Sequence, residues 1–238
     1  MFIMIPFKSM LDEAGLNRQH IFDLARLPPD LLAPLGLGEH ERQLILIGHA
    51  GRLLWERVQK HATDPVHPID SYSIGVVEQW AALALPQARI RFVYPKGLPA
   101  DRHIGLQRLG TLAGWHHPSP FMVGINARWG SWFAYRAAII VDSELPASPV
   151  EDHGHPCVDC TAKPCIGACP ASALDAGTMD MNACHRQRLL EASPCAYACP
   201  ARQACPVGVE HRYDKSQVRH SGTGSLAAIG IRRLLKAS

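Results

Sequence analysis

Apolar residues in the first 150 positions fall into short runs whose spacing switches between strand and helix. Residues 1–40 read as helical and loop-like, broken by Pro28, Pro29 and Pro34. Gln43-Leu-Ile-Leu-Ile-Gly48 is a short apolar run of strand character. In residues 50–61 the leucines and Trp55 recur at helical spacing, and Asp64-Pro-Val-His-Pro68 reads as a turn or loop. Residues 69–85 predict a buried helix stopped by Pro86. Arg89-Ile-Arg-Phe-Val-Tyr94 alternates like a strand, and residues 104–113 predict a helix. Two more strands are expected at 121–125 and 132–141, with Gly130 near a turn between them. This interleaving argues for a sheet covered by helices, an α/β fold, and Pro146-Ala-Ser-Pro149 reads as a linker closing a domain of residues 1–150.

Beyond the linker the pattern changes. Residues 151–212 are rich in Cys, Pro and Ala and short of periodic segments, and form the second expected domain. Residues 213–238 read as a basic tail ending in a short amphipathic helix over 226–235. Arg212, Lys215, Arg219, Arg232, Arg233 and Lys236 give this end its charge and read as a solvated terminus.

Composition narrows the function classes. With 238 residues, 47% hydrophobic and 19% charged, the chain can bury one sizeable core and a small satellite domain. A net charge of only +3 argues against nucleic acid or an anionic membrane as partner. No apolar run reaches membrane-spanning length, and the apolar start holds Pro6 and stops at Lys8, unlike a signal peptide. A cytoplasmic location, where thiols stay reduced, is the expectation.

All eight cysteines lie between Cys157 and Cys205, which describes a local site and not a disulfide framework. The first group is Cys157-x2-Cys160-x4-Cys165-x3-Cys169-Pro170; the second is Cys184, Cys195-x3-Cys199-Pro200 and Cys205-Pro206. A 4Fe-4S cluster needs four thiolates around a compact cube. One turning loop supplies three, and in two-cluster ferredoxins the Cys before Pro ligates the other cluster. That rule assigns Cys157, Cys160, Cys165 and Cys205 to one cluster and Cys184, Cys195, Cys199 and Cys169 to the other. The wide spacing of the second group leaves open an exchange of Cys199 with Cys205. Two four-cysteine zinc sites would also use all eight, but would not explain the Cys-x3-Cys-Pro ending. Two clusters store and relay electrons, so the chain reads as a redox protein with a small bacterial-ferredoxin-like domain.

The larger domain offers chemistry of lower specificity. Trp115-His116-His117-Pro118 would suit a pocket wall, and Arg128 and Arg136 flank the aromatic residues Trp129, Trp132, Phe133 and Tyr135. Each has an ordinary alternative: strand aromatics are usually core, arginines after a turn are usually solvated, and two histidines before a proline make an ordinary turn.

Residues 64–146 resemble the cblC-type cobalamin-processing proteins. The resemblance is carried by Asp64-Pro-Val66, by Ile104-x2-Gln107 through Ala113-Gly114, and by Arg128-x-Gly130-x-Trp132-Phe133-Ala134-x-Arg136. The chain is also similar to epoxyqueuosine reductase at Gly114-Trp115, Gly130-Ser131, residues 142–146 and the whole 157–206 cysteine region. Reductive dehalogenases share the pairing of a cobalamin domain with two clusters. The resemblance implies a nitroreductase-like sheet domain holding a base-off corrinoid. Ile104, Gln107, Pro118, Ser119, Gly124 and Tyr135 would line its pocket, with Trp132 and Arg136 nearby. Gly114 and Gly124 would let backbone approach the flat ring, and Trp115 would join the wall. Arg128 or Arg136 would pair with an anionic group. His116 and His117, with Arg136, are the candidates for acid or cobalt-face roles. Asp101-x-His103-x-Gly105 nearly matches a cobalt-ligating histidine pattern, but its glycine falls one place early, and it reads as a decoy. The aspartate that epoxyqueuosine reductase uses is displaced here, where Lys96-Gly-Leu-Pro99 stands, and no helical-repeat extension follows the clusters; a tRNA substrate is not expected.

The function expected is therefore an oxidoreductase that passes electrons from an external ferredoxin, flavodoxin or reductase, through two clusters, to a corrinoid. The competing readings are a ferredoxin-type carrier without corrinoid, a substrate reductase of the epoxyqueuosine or dehalogenase type, and FMN in place of the corrinoid.

Overall fold

The computed structural model describes residues 7–175 and 178–237. The apolar start, apart from Phe7, lies outside the described residues. The chain divides into two compact units, one of residues 1–115 with 133–152 and one of residues 116–132 with 153–238. Residues 116–132, in sequence part of the larger domain, therefore belong with the cysteine-rich unit.

The first unit is a mixed α/β structure. In chain order it holds α1 (Phe7–Glu13), β1 (Arg18–Asp23), α2 (Pro29–Leu32), β2 (Gln43–Ala50), α3 (Leu53–His61), α4 (Pro68–Ala84), β3 (Ile90–Tyr94), α5 (Leu106–Leu112) and β4 (Phe133–Val141). The four strands form an antiparallel sheet in the order β1-β2-β4-β3. All eight residues of β2 are buried, which is why its centre, Leu44-Ile-Leu-Ile47, is apolar without alternation. Ile45 and Ile47 face one core with Leu54, Trp55 and Val58 of α3 and Val77 and Trp80 of α4. Leu44 and Leu46 face the other, with Leu31 of α2, Leu109 of α5 and Trp115. β4 divides its side chains the same way, Ala137, Ile139 and Val141 against Ala138 and Ile140.

β1 lies within the stretch expected to be helical and loop-like. It is an edge strand of mixed polarity, Arg-Gln-His-Ile-Phe-Asp, with buried His20 and Phe22 turned to the second core. Register with β2, Arg18 opposite Gly48 through Asp23 opposite Gln43, defines it where sequence alternation does not.

The second unit holds α6 (Pro164–Gly167), α7 (Met181–Arg188), α8 (Pro200–Ala204) and α9 (Lys215–Ala237). Its core gathers Phe121, Ile125, Leu174 and Ala201 with Cys165 and Cys205. Two expectations are corrected here. Residues 121–125 are not a strand: Met122 takes a left-handed backbone (φ 59°), and the only ladder element there is an isolated bridge between His117 and Ile125. Pro118 and Pro120 remove two donors that a strand would need. The helix expected at 226–235 starts much earlier, because Asp214 caps it through the Gln217 N–H at 2.7 Å and Gly222 is admitted by close packing on the Tyr197 backbone. Among the described residues no helix is long and apolar enough to cross a membrane.

Candidate functional site

The cysteines of the second unit are carried by turns and short helices that proline starts. Pro164 opens α6 just after the left-handed Lys163, and Cys165 lies in its first turn. Cys199 and Cys205 bracket α8 as its two capping positions. Asp180 caps α7 through the Ala183 N–H, and that helix presents Cys184. All eight are free thiols.

The thiols gather in two fours. Cys157, Cys160, Cys165 and Cys205 line one pocket together with Phe121, Ile125, Lys163 and four prolines. Burial pushes the Cys157 thiol up to about 11, and its neighbours Cys205, Cys165 and Cys160 push the same way. Cys165 is raised by burial and by Cys205. Cys169, Cys184, Cys195 and Cys199 line a second pocket of about 490 Å3, with Trp132, Arg188, Arg202, Tyr197 and residues of α9. Burial raises Cys184 and Cys195, and Cys199 and Cys169 reinforce both shifts. Cys205 therefore groups with the first four and Cys199 with the second. Among the described residues no three His, Cys, Asp or Glu side chains converge tightly enough to hold a single metal ion; the thiols stand around the pocket walls.

Two arginines organise the larger pocket. Arg188 donates to the carbonyls of Cys195 (3.2 Å), Ala196 (3.1 Å) and Gly222 (3.1 Å) and to Ser225 Oγ (2.8 Å). It thereby ties the Cys195 loop to α9. Arg202 donates through Nε to Ser131 Oγ at 3.1 Å and through Nη2 to the Ser131 carbonyl. Its guanidinium lies 4.4 Å from the Trp132 ring centroid and 5.1 Å from that of Tyr213. Neither arginine was singled out in the sequence, where Arg202 is simply a helix residue three places after a cysteine. Trp132, only 1% exposed, lines this pocket, and its indole N–H has no acceptor among the described residues. A buried donor of that kind fits a pocket whose occupant carries acceptors. Sulfide and thiolate of a 4Fe-4S cluster are such acceptors, and four cysteines per pocket are its ligand set.

The residues expected around a corrin ring divide between the units. Ile104, Gln107, Gly114, Trp115, Tyr135 and Arg136 lie in the first; His116, His117, Pro118, Ser119, Gly124, Arg128 and Trp132 lie in the second. Trp115 is buried, lies nearly parallel to Tyr135 at 6.5 Å, and carries the Arg18 guanidinium 4.9 Å from its ring. Burial raises the Tyr135 hydroxyl far above its ordinary value. Arg136 Nε donates to His49 Nδ1 at 3.0 Å. The space a Cβ would take at Gly114 is filled by the Glu151–Asp152 backbone, and at Gly124 by the His116 ring. Burial lowers the His116 imidazole. His117 lies nearly parallel to His155 at 5.1 Å, and His155 Nε2 donates to the Pro118 carbonyl at 2.8 Å. Ser119 Oγ donates to the Val123 carbonyl at 2.5 Å, and exposed Arg128 lies 4.7 Å over the Trp129 ring.

The fold defines a structural class, an α/β sheet unit with a cysteine-rich unit, and solved structures share it. An epoxyqueuosine reductase solved with an epoxyqueuosine-modified tRNA-Tyr stem loop shares the fold with TM-score 0.53 at 13% identity, over 87% of this chain and 66% of that one. The C. elegans B12-trafficking protein CblC shares it with TM-score 0.51 at 14% identity, over 91% and 90% of the two chains. The catabolic reductive dehalogenase NpRdhA shares it with TM-score 0.50 at 13% identity, over 96% of this chain and 36% of that one. This chain thus spans just under two thirds of the epoxyqueuosine reductase structures. No protein-family model and no curated protein matches it.

Proposed function

We propose that the chain is an iron–sulfur oxidoreductase with two 4Fe-4S clusters that supplies electrons to a base-off corrinoid, for reductive cobalamin processing or cobalamin-dependent reduction. The observation that carries this reading is the division of all eight cysteines into two pockets of four. Cys157, Cys160, Cys165 and Cys205 would hold one cluster, and Cys169, Cys184, Cys195 and Cys199 the other. When bound, each cluster supplies storage and release of one electron.

The protein's own residues prepare those sites. Buried Cys165, Cys195 and Cys205 keep water from the inner sides, while exposed Cys199 leaves an edge open to an external donor of the ferredoxin, flavodoxin or reductase kind. Burial and neighbouring thiols raise Cys157, Cys165, Cys184 and Cys195, so metal loading at these positions expels protons. Trp132 lines the second pocket with an N–H that has no partner among the described residues, and Arg188 holds the Cys195 loop in place.

The corrinoid part rests on the resemblance over residues 64–206 and is supported by the fold held in common with CblC and epoxyqueuosine reductase. Residues 1–150 would form the cobalamin domain and 151–212 the cluster domain, in a cytoplasmic setting. The chain's own filling of the space at Gly114 and Gly124 favours a second reading, an electron carrier without corrinoid. Titration of the anaerobic protein with cob(II)alamin, followed by visible and electron paramagnetic resonance spectra, separates them. A shift of cobalt to its base-off signal supports the corrinoid reductase. An unchanged cobalt signal leaves the carrier, with FMN binding as the next assay.

A further inference from the structure

The two cysteine pockets differ in their cations. The first is lined by one, Lys163, half-buried at the position that caps α6. The second is lined by Arg188 and Arg202, and among the described ion pairs neither has a carboxylate partner. Arg188 has its charge spread over three carbonyls and a hydroxyl. Arg202 is different. Its described hydrogen bonds reach Ser131 and Tyr213, it lies against the rings of Trp132 and Tyr213, and the acidic groups near enough to favour its charge are the Tyr213 hydroxyl and the Cys199 thiol. Holding a cation among aromatic rings without a carboxylate is unfavourable unless another negative group compensates.

Resting on the cluster reading above, we propose that Arg202 is the counter-ion of the cluster bound by Cys169, Cys184, Cys195 and Cys199, and that it makes this cluster the easier of the two to reduce. A cluster with four thiolate ligands is negatively charged, and reduction adds one further negative charge. A nearby fixed cation stabilises the reduced form more than the oxidised one, and shielding by Trp132 and Tyr213 keeps water from screening it. The step is the addition of one electron from a low-potential donor of the ferredoxin or flavodoxin class; no bond breaks and no proton moves. Electrons entering the protein would then rest on the cluster beside Arg202. Arg202 is a positioning and tuning residue here, since it ligates nothing.

The test is an anaerobic redox titration with dithionite, read by electron paramagnetic resonance, of the wild type, Arg202→Met and Arg202→Lys. Cys157→Ser identifies which signal belongs to the other cluster. Iron is counted in the wild type first. With Arg202→Met, the reduced-to-oxidised ratio of the second cluster at fixed ambient potential falls at least tenfold, about 59 mV for a one-electron couple. Arg202→Lys keeps most of the wild-type ratio, and the other cluster does not move. Selective loss of the second cluster in Arg202→Met, rescued by Arg202→Lys, also supports the counter-ion. Full iron with an unmoved potential in Arg202→Met overturns the inference and leaves the cluster reading intact. Equal shifts in the methionine and lysine variants overturn it as well, since packing and not charge would then be responsible. A wild type without iron overturns the cluster reading itself. If Arg202→Met does not fold, Arg202→Gln gives the same readout with a polar side chain.

Discussion

Trp132 sits in an aromatic run that in sequence looks like one more strand core. In the structure it is buried and lines a pocket walled by four thiols, and its indole N–H has no hydrogen-bond partner among the described residues. Trp132→Phe keeps an aromatic ring against Arg202 and deletes that donor. A hydrogen bond of this kind contributes about 1 kcal/mol, so loss of cluster absorbance in air is expected to run about fivefold faster in the variant, read as bleaching of the visible band. An unchanged rate would mean the indole N–H has another partner. Single cysteine removals give a second residue-scale outcome. Cys165→Ala should lower iron by about half, because one pocket loses a ligand and the other keeps its own four. Iron analysis against protein concentration checks this, and complete loss of iron would show that the two sites do not load independently.

At the scale of elements, β1 and the loop after α8 carry the sharpest consequences. His20 of β1 is only 4% exposed and lies 4.3 Å from the Phe22 ring. Burial pushes its imidazole from 6.5 down to about 4, with Glu151 opposing and Arg18 reinforcing the shift. The unfolded chain therefore takes the proton first. This contribution to stability is intact above about pH 6.5, declines as pH falls, and is fully lost below about pH 4. Thermal melts of wild type and His20→Leu across that window should diverge, the wild type losing Tm more steeply; parallel curves would contradict the assignment. In the loop after α8, Gly208 holds a left-handed backbone (φ 64°), and a Cβ there would overlap the Trp129 backbone. Gly130, at φ 59°, meets the Val207 carbonyl from the other side. The left-handed conformation alone costs a non-glycine residue about 1–2 kcal/mol, and the overlap adds to it. Gly208→Ala should lower the denaturant midpoint by at least that equivalent and weaken iron retention through adjacent Cys205. The elements legible in sequence were those with one dominant period. β2 announced itself by the apolar run from Leu44 to Ile47, α3 and α4 by helical spacing, and β4 by length. β1 was not legible, because an edge strand that buries only His20 and Phe22 has no apolar rhythm. Residues 121–125 misled because two buried apolar side chains in a proline-flanked turn mimic a strand.

Over the whole molecule, the eight thiols line two pockets, four to each. The expected partition was drawn from the rule that a Cys before Pro ligates the other cluster, which is written in the local sequence at Cys169-Pro170 and Cys205-Pro206. Arg202, Arg188 and Tyr213 were not legible, because their nearness to the cysteines arises from long-range folding of α8 and α9 and leaves no local pattern. The assignment of 116–132 to the cysteine-rich unit was hidden for the same reason: the segment lies between α5 and β4 of the sheet unit and is claimed by contacts with residues far along the chain. What the fold shares with CblC and epoxyqueuosine reductase frames the corrinoid reading, while the two thiol pockets carry the redox reading by themselves. The most direct measurement of that central claim is the metal content of protein purified without oxygen, with the electron paramagnetic resonance spectrum recorded before and after dithionite. The account predicts about eight irons per chain with matching acid-labile sulfide, and two reduced cubane signals. Zinc in place of iron, or protein free of both, would contradict it.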